Sequence, residues 1–281
     1  MAKVLIVGCG DVGSRLAVAL ASAGHEVFGL RRSAFSLPGV HALAGDVSDA
    51  GSLRLPTGLE YVFVLLAPGE SGEAAYRRVY YEGTRNVLAA LAGQSLRRLF
   101  WISSSGVYGQ DDGSLVDEDA PAEPVSATSR VLLESEGLAR ASAWPATIVR
   151  LSGIYGSGRL RLVNWIQAGR PVQATPVQWT NRIHADDAAA LLAFLLAQDA
   201  VGVALADTYI GSDDEPAPQH EVLDWLADQL GLPPVPHEHR PGVAQNKRLS
   251  NARLRALGFR FAYPDYRSGY AEVLRSTHAP S

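Results

Sequence analysis

The feature that most constrains this chain is a glycine pattern placed directly after its first apolar run. Val4 to Val7 is a continuous hydrophobic stretch, the signature of a central parallel strand buried on both faces. Gly8-Cys9-Gly10-Asp11-Val12-Gly13 follows at once, and Ser14 to Ala23 reads as a helix with Gly24 just beyond its end. A strand, a G-x-G-x-x-G turn and a helix together predict a dinucleotide site. Gly8 permits the tight turn, Gly10 lets backbone approach a pyrophosphate, and Gly13 lets helix and strand pack closely. The helix N-terminus, reached through Asp11 and Val12, offers free N–H groups and the positive end of its dipole to the phosphates.

The rest of the chain repeats that rhythm. Glu26–Leu30, Val40–Leu43, Tyr61–Leu66, Leu99–Ser103 and Ala146–Leu151 read as strands; Ala74–Leu91 and Val131–Arg140 read as helices. This alternation predicts an α/β fold, a Rossmann-type doubly wound parallel sheet with its ligand crevice at the carboxyl ends of the strands. The pattern loosens later, where Asp213–Gln219 is acidic and Pro233–Pro241 is rich in Pro and His. We therefore expect a Rossmann domain over residues 1–172 and a small substrate domain over 173–281, interleaved, with the last Rossmann elements returning within 180–210.

The end of the second strand discriminates between cofactors. An NAD site places an acid there for the ribose 2′-hydroxyl; this chain has Arg31-Arg32, suited to a 2′-phosphate. NADP(H) is the expected cofactor, with NAD as the other candidate. Asp46 and Val47 suit the adenine edge, and Leu66-Ala67-Pro68, where the fourth strand stops, complete the expected contacts.

Composition excludes several classes. The net charge is −4, and no basic stretch points to nucleic acid. A single cysteine, Cys9, excludes an internal disulfide and a cysteine-based zinc site, and a reducing cytoplasm is the simplest setting. The opening run is too short for a leader, and Ala188–Ala197 is too short for a membrane span and reads as a buried helix. Only Lys3 and Lys247 are lysines.

Several further segments carry a family resemblance. Gly83-Thr84-Arg85-Asn86-Val87-Leu88, Ile102 to Gly109, Arg150 to Gly156, Arg182 to Asp187 and Lys247-Arg248-Leu249-Ser250-Asn251 with Leu257-Gly258-Phe259 resemble landmarks of the extended short-chain dehydrogenase/reductases, the nucleotide-sugar epimerases and dehydratases. The likeness runs nearly the whole length. It implies a small-molecule substrate, a nucleotide sugar among the candidates, and allows a homodimer. The family's Tyr-x-x-x-Lys pair is missing, since no tyrosine lies between Tyr108 and Tyr155 and no lysine between Lys3 and Lys247. Placing Arg130 at the lysine position puts Ser126 at the tyrosine; placing Glu136 at the family's later glutamate puts Thr128 there and Leu132 at the lysine. Tyr80 takes the place of the usual active-site Asn. The chain thus resembles the atypical branch of the family.

The resemblance leaves Ser105 or Ser104 as the family serine, Tyr80 and Tyr108 as candidate proton donors, and Arg130 as a candidate ribose ligand that cannot titrate near neutral pH. His184 is expected to be structural, with Asp186 capping the next helix; His237 and His239 are expected in a solvated loop, and Asp111 to Asp119 in another. Two functions follow: an NADP(H)-dependent epimerase, dehydratase or reductase acting on a carbonyl or hydroxyl, or a non-catalytic NADP(H)-binding sensor.

Overall fold

The computed structural model describes residues 1–242 and 246–278. At its centre is a parallel sheet of seven strands: β1 (Lys3–Val7), β2 (Glu26–Arg31), β3 (Val40–Ala44), β4 (Tyr61–Val64), β5 (Arg98–Ser104), β6 (Ala146–Leu151) and β7 (Thr208–Gly211). Their order is β7-β6-β5-β4-β1-β2-β3, so the winding reverses between β1 and β4, beside the glycine turn. Val4 faces Val27 on one side and Tyr61 on the other, and Val4 to Val7 are fully buried, as the continuous apolar run requires.

The helices start and bend where side chains and turns dictate. Helix α1 (Asp11–Ser22) begins three residues earlier than its apolar pattern predicts, because the glycine turn already closes the first helical bond, Ser14 N–H to Gly10 O at 2.9 Å. The second crossover is not one regular helix. An α turn (Glu73–Tyr76) widens into a π-helical stretch (Arg77–Glu82) before α2 (Gly83–Ala90). Helix α3 (Ala127–Arg140) also starts early: Ser126 is its N-cap, accepting the Ser129 N–H at 3.1 Å.

The chain divides into two compact units. The first comprises residues 1–107, 124–150 and 189–209; the second comprises 108–123, 151–188 and 210 onward. In the first, Phe63 and Phe100 stack at 4.6 Å, and Asp199 accepts hydrogen bonds from the Tyr61 hydroxyl and from Arg98 Nε. Its most heavily buried charge is Glu136, which accepts from Ser103 Oγ at 2.6 Å and from Arg150 through Nε at 3.0 Å and Nη2 at 2.7 Å.

The second unit contains α4 (Arg161–Gln167), α6 (Gln219–Gln229) and α7 (Tyr266–His278), with α5 (Ala185–Ala200) beginning there. Tyr155, Val222, Leu226, Tyr266, Tyr270 and Val273 form its core. Asp186 does not cap α5, which starts at Ala185. The neighbouring Asp187 is the buried, anchoring residue, accepting from Ala262 N and Tyr263 N. His237–His239 is a short strand paired with Val172–Thr175 rather than a solvated loop, and His237 Nε2 meets the Asp224 carboxylate at 2.9 Å. Within the acidic stretch, Glu118 is buried and accepts from Ile210 N at 2.8 Å. Among the described residues, no helix is long and apolar enough to cross a membrane.

Candidate functional site

The glycine turn separates by cause into two kinds of glycine. Gly8 has φ +98°, and a Cβ there would run into the Leu65 carbonyl oxygen. A Cβ on Gly13 would run into the Gly8 carbonyl oxygen. Both are required by the chain's own packing. Gly10 is not: its φ is −81°, and a Cβ would meet nothing within 4 Å. The space beside Gly10 is therefore a cradle that a side chain would fill, on the approach to the N-terminus of α1, and it fits a pyrophosphate.

That space belongs to a cleft of about 270 Å³ in the first unit. Of the expected contacts, Gly8, Gly10, Arg31, Arg32, Asp46, Val47, Leu66 and Ala67 line it. Asp11, Val12 and Gly13 lie in the first turn of α1, where the Asp11 carboxylate accepts from Arg15 Nε at 2.9 Å, and Pro68 follows the wall residue Ala67. Sequence reasoning missed Cys9, Leu30, Ser33, Gly45, Leu65 and Val79. Ser33 carried a readable signal, a hydroxyl directly after Arg31-Arg32. Arg31 donates to Ser33 Oγ through Nε at 3.0 Å and Nη2 at 2.8 Å, and its guanidinium lies over the Phe35 ring at 5.2 Å. The arginine is thus pre-oriented. Burial pushes the Cys9 thiol up to about 11, so it stays neutral.

The opposite wall is held by the Gly83–Asn86 landmark. A Cβ on Gly83 would come within 2.8 Å of Val47 Cγ2, and Asn86 Nδ2 donates to Val47 O at 2.8 Å. Asp46 Oδ1 accepts from Ser48 N at 2.9 Å, which fixes the loop's turn.

The candidate reacting residues fall in different places. At the end of β5, Ser104 Oγ accepts from Gly106 N at 3.1 Å, and Ser105 opens the short turn Ser105–Val107. Tyr80 sits within the π-helical stretch, next to the wall residue Val79, with ring contacts to Tyr76 at 5.2 Å and Trp101 at 6.1 Å. Burial raises its phenol well above the usual tyrosine range, and Tyr76 adds to the rise. Ser126, aligned with the family tyrosine in one frame, is occupied in starting α3; its hydroxyl also bonds Ser129 Oγ at 2.8 Å and Thr128 Oγ1 at 3.1 Å. Arg130 is exposed, and Nη2 donates to Val125 O at 2.7 Å. These residues lie in the first unit; Tyr108 is fully buried in the second.

The second unit holds a cavity of about 590 Å³ that the sequence did not disclose beyond its landmarks. Arg159, Arg161 and Arg182 line it with Tyr155, Asn181 and Tyr270. Arg182 is anchored: Nη2 donates to Thr180 O and Oγ1, and its guanidinium lies over Tyr266 at 5.3 Å. Asp213 is buried close by; burial pushes its carboxyl up to about 8 against the opposing pull of Arg182. His184 is buried too, its Nδ1 accepting from Asp186 N at 3.3 Å and its ring 4.0 Å from that of Tyr263. Among the described residues, no group of three His, Cys, Asp or Glu side chains could hold a metal.

Comparison with known proteins agrees with this architecture. The model of the NAD dependent epimerase/dehydratase family matches residues 4–211. A Methylobacillus flagellatus protein assigned to the NAD-dependent epimerase/dehydratases is similar at 42% identity, covering 99% of each chain with a TM-score of 0.82. The 3-diazoavenalumate denitrifying reductase of a Streptomyces species is 27% identical over 95% of this chain and 98% of its own. MoeE5, solved with UDP-glucuronic acid and NAD, shares the fold at 24% identity, with a TM-score of 0.79 and 98% of each chain covered.

Proposed function

The chain belongs to the NAD dependent epimerase/dehydratase family, and on that premise we propose that it is an NADP(H)-dependent enzyme acting on a small carbonyl or hydroxyl substrate that carries an anionic group. The observation that carries this reading is the first-unit cleft: open space at Gly10 and, in the same cleft, an arginine pre-oriented by Ser33. Arg31, Arg32 and Ser33 would hold the 2′-phosphate, Gly8 to Gly13 with the start of α1 the pyrophosphate, and Asp46 and Val47 the adenine edge. The bound nicotinamide supplies hydride chemistry. We place Tyr80, Ser104 and Ser105 at the reacting end, where the raised Tyr80 phenol is a hydrogen-bond donor and not a base at neutral pH.

For the substrate, the three cavity arginines of the second unit favour a phosphate or carboxylate bearer. Nucleotide sugars fit that chemistry, and MoeE5 was solved in complex with UDP-glucuronic acid. The reductase relative adds simple reduction to the candidate reactions. We place the protein in the cytoplasm, as a small-molecule enzyme that works alone or as a homodimer.

A second reading, an NADP(H) sensor without turnover, draws support from one observation: Ser126, which takes the family tyrosine's position in one of the two alignments, is occupied in capping a helix.

Calorimetric titration with NADPH and NADH tests the cofactor reading. One charge-assisted bond is worth about 1.5–3 kcal/mol, so NADPH should bind about 10- to 100-fold more tightly. Arg31→Asp should abolish or reverse the difference. Equal affinities in the wild type would refute the assignment of Arg31 and Arg32.

A further inference from the structure

The lining of the second-unit cavity carries charge of one sign only. Arg159, Arg161 and Arg182 line it, and none of its lining side chains is acidic. Arg182 is 5% exposed, and its guanidinium donates to neutral oxygens: Thr180 O, Thr180 Oγ1 and Glu215 O. The acids of the neighbouring segment are committed elsewhere. Glu215 pairs with Arg267 at 2.8 and 3.0 Å, and Asp214 bonds Asn251 and Arg255. Asp213 is held largely protonated at neutral pH, since burial pushes its carboxyl up to about 8. A buried guanidinium that bonds no carboxylate leaves a charge on the cavity wall for an anion to meet.

Tyr270, on α7, lines the same cavity. Its ring belongs to the core of the unit, 4.6 Å from the ring of Tyr155. Its phenol end is the part on which the cavity arginines act: burial pushes the phenol up to about 12, against the opposing pull of Arg182 and Arg161. The group therefore remains a hydrogen-bond donor at neutral pH. Tyr155, also on the cavity wall, is turned the other way. Its hydroxyl donates to Asp265 O at 3.4 Å and fills the space that a Cβ on Gly269 would need. The Tyr270 hydroxyl bonds none of the described residues. A phenylalanine would fill the ring's place in the core equally well, and the hydroxyl adds the cost of desolvating a polar group. What the hydroxyl serves lies outside the chain.

We propose that Tyr270 is a specificity-determining residue, whose hydroxyl joins the Arg161 and Arg182 guanidiniums in holding one oxyanion of the substrate, a carboxylate or a phosphate. This rests on the reading of the second-unit cavity as the place that takes the anionic substrate, and it names the donor that would discriminate there. An O–H and a guanidinium converging on one anionic oxygen form short, charge-assisted bonds.

Calorimetric titration with four sugars tests this: glucose, which is neutral; glucuronic acid, a carboxylate; glucose 1-phosphate, a phosphate; and UDP-glucuronic acid, which carries both. The wild type should bind at least one charged sugar and bind glucose far more weakly, and the pattern among the charged sugars tells carboxylate from phosphate. Tyr270→Phe should bind the same ligand about 10- to 100-fold more weakly, with a melting temperature equal to the wild type's or higher. Arg161→Gln, at an exposed position, should weaken that ligand too. If Tyr270→Phe binds the charged sugar as the wild type does, the proposal falls while the cavity reading stands. If Tyr270→Phe melts several degrees lower or does not fold, the hydroxyl is structural and the proposal falls. Binding that ignores Arg161→Gln places the ligand elsewhere and overturns the proposal as well. If no charged sugar binds the wild type, the cavity reading itself fails and takes the proposal with it. NADPH titration of the same protein reads the first-unit cleft separately.

Discussion

Substituting Gly10 by Ala separates folding from cofactor binding at a single position. A Cβ at Gly10 would meet nothing within 4 Å, and φ of −81° suits any L-residue. Two opposing effects on stability are expected. Removing a glycine reduces the entropy of the unfolded chain, worth about 0.4–1 kcal/mol in favour of the fold. Gly10 is also the N-cap of α1, and alanine is a poorer cap by an amount of the same order, about 0.5–1 kcal/mol. The sum is close to zero, and the melting temperature should move by no more than a few degrees. Binding should behave differently, because the methyl group fills the space assigned to the pyrophosphate. Losing two charge-assisted backbone bonds at about 1.5 kcal/mol each lowers NADPH affinity at least 100-fold. Gly8→Ala and Gly13→Ala are the contrast: each drives a methyl into a backbone carbonyl, and Gly8 adds the strain of φ +98°. They should lose several kcal/mol of stability, out of the roughly 5–15 kcal/mol a domain has. Thermal melts with calorimetric NADPH titration read both quantities. A folded Gly10→Ala protein that binds NADPH like the wild type would refute the placement of the pyrophosphate.

Two further outcomes follow from buried charges. Glu136→Gln removes the buried carboxylate that pairs with Arg150 and should cost about 3–5 kcal/mol in urea unfolding; a loss below about 1 kcal/mol would show that the triad with Ser103 is not a structural clamp. For Asp213, the folded pKa of about 8 lies above the ordinary value of 3.8, so the native state holds a proton that the unfolded chain has released. Its contribution is fully present below pH 4, and stability is lost as pH rises from about 4 to 8. Asp213→Asn should remove that slope, so melting temperatures of the two proteins should diverge across this window; parallel curves would mean that Asp213 titrates normally.

The sheet was legible because each central strand is a continuous apolar run, and Val4–Val7 and Tyr61–Val64 can hardly be anything else in water. The cofactor cleft was legible because glycine spacing and Arg31-Arg32 are local in sequence. The π-helical stretch was not: Ala74–Leu91 reads as one long helix in sequence, and it is the i→i+5 hydrogen bonding that sets Arg77–Glu82 apart. The early start of α3 was missed for a different reason, since Ser126 to Ser129 are polar and an apolar pattern first registers at Val131. The arginine cavity depends on contacts between distant segments, such as Asn181 with the backbone of Lys247 and Leu249, which no short window contains.

The position of β7 has a consequence for synthesis. β7 covers the open edge of β6, yet β6 ends at Leu151 and β7 begins at Thr208. A ribosome adds the intervening stretch of roughly 60 residues at about 5–20 residues per second, so the β6 edge stays bare for roughly 3–12 s on each nascent chain. During that interval Ile148 and Val149, both fully buried in the finished fold, stand beside unpaired N–H and C=O groups. A polysome carries several such chains at once, and each presents the same strand edge to its neighbours.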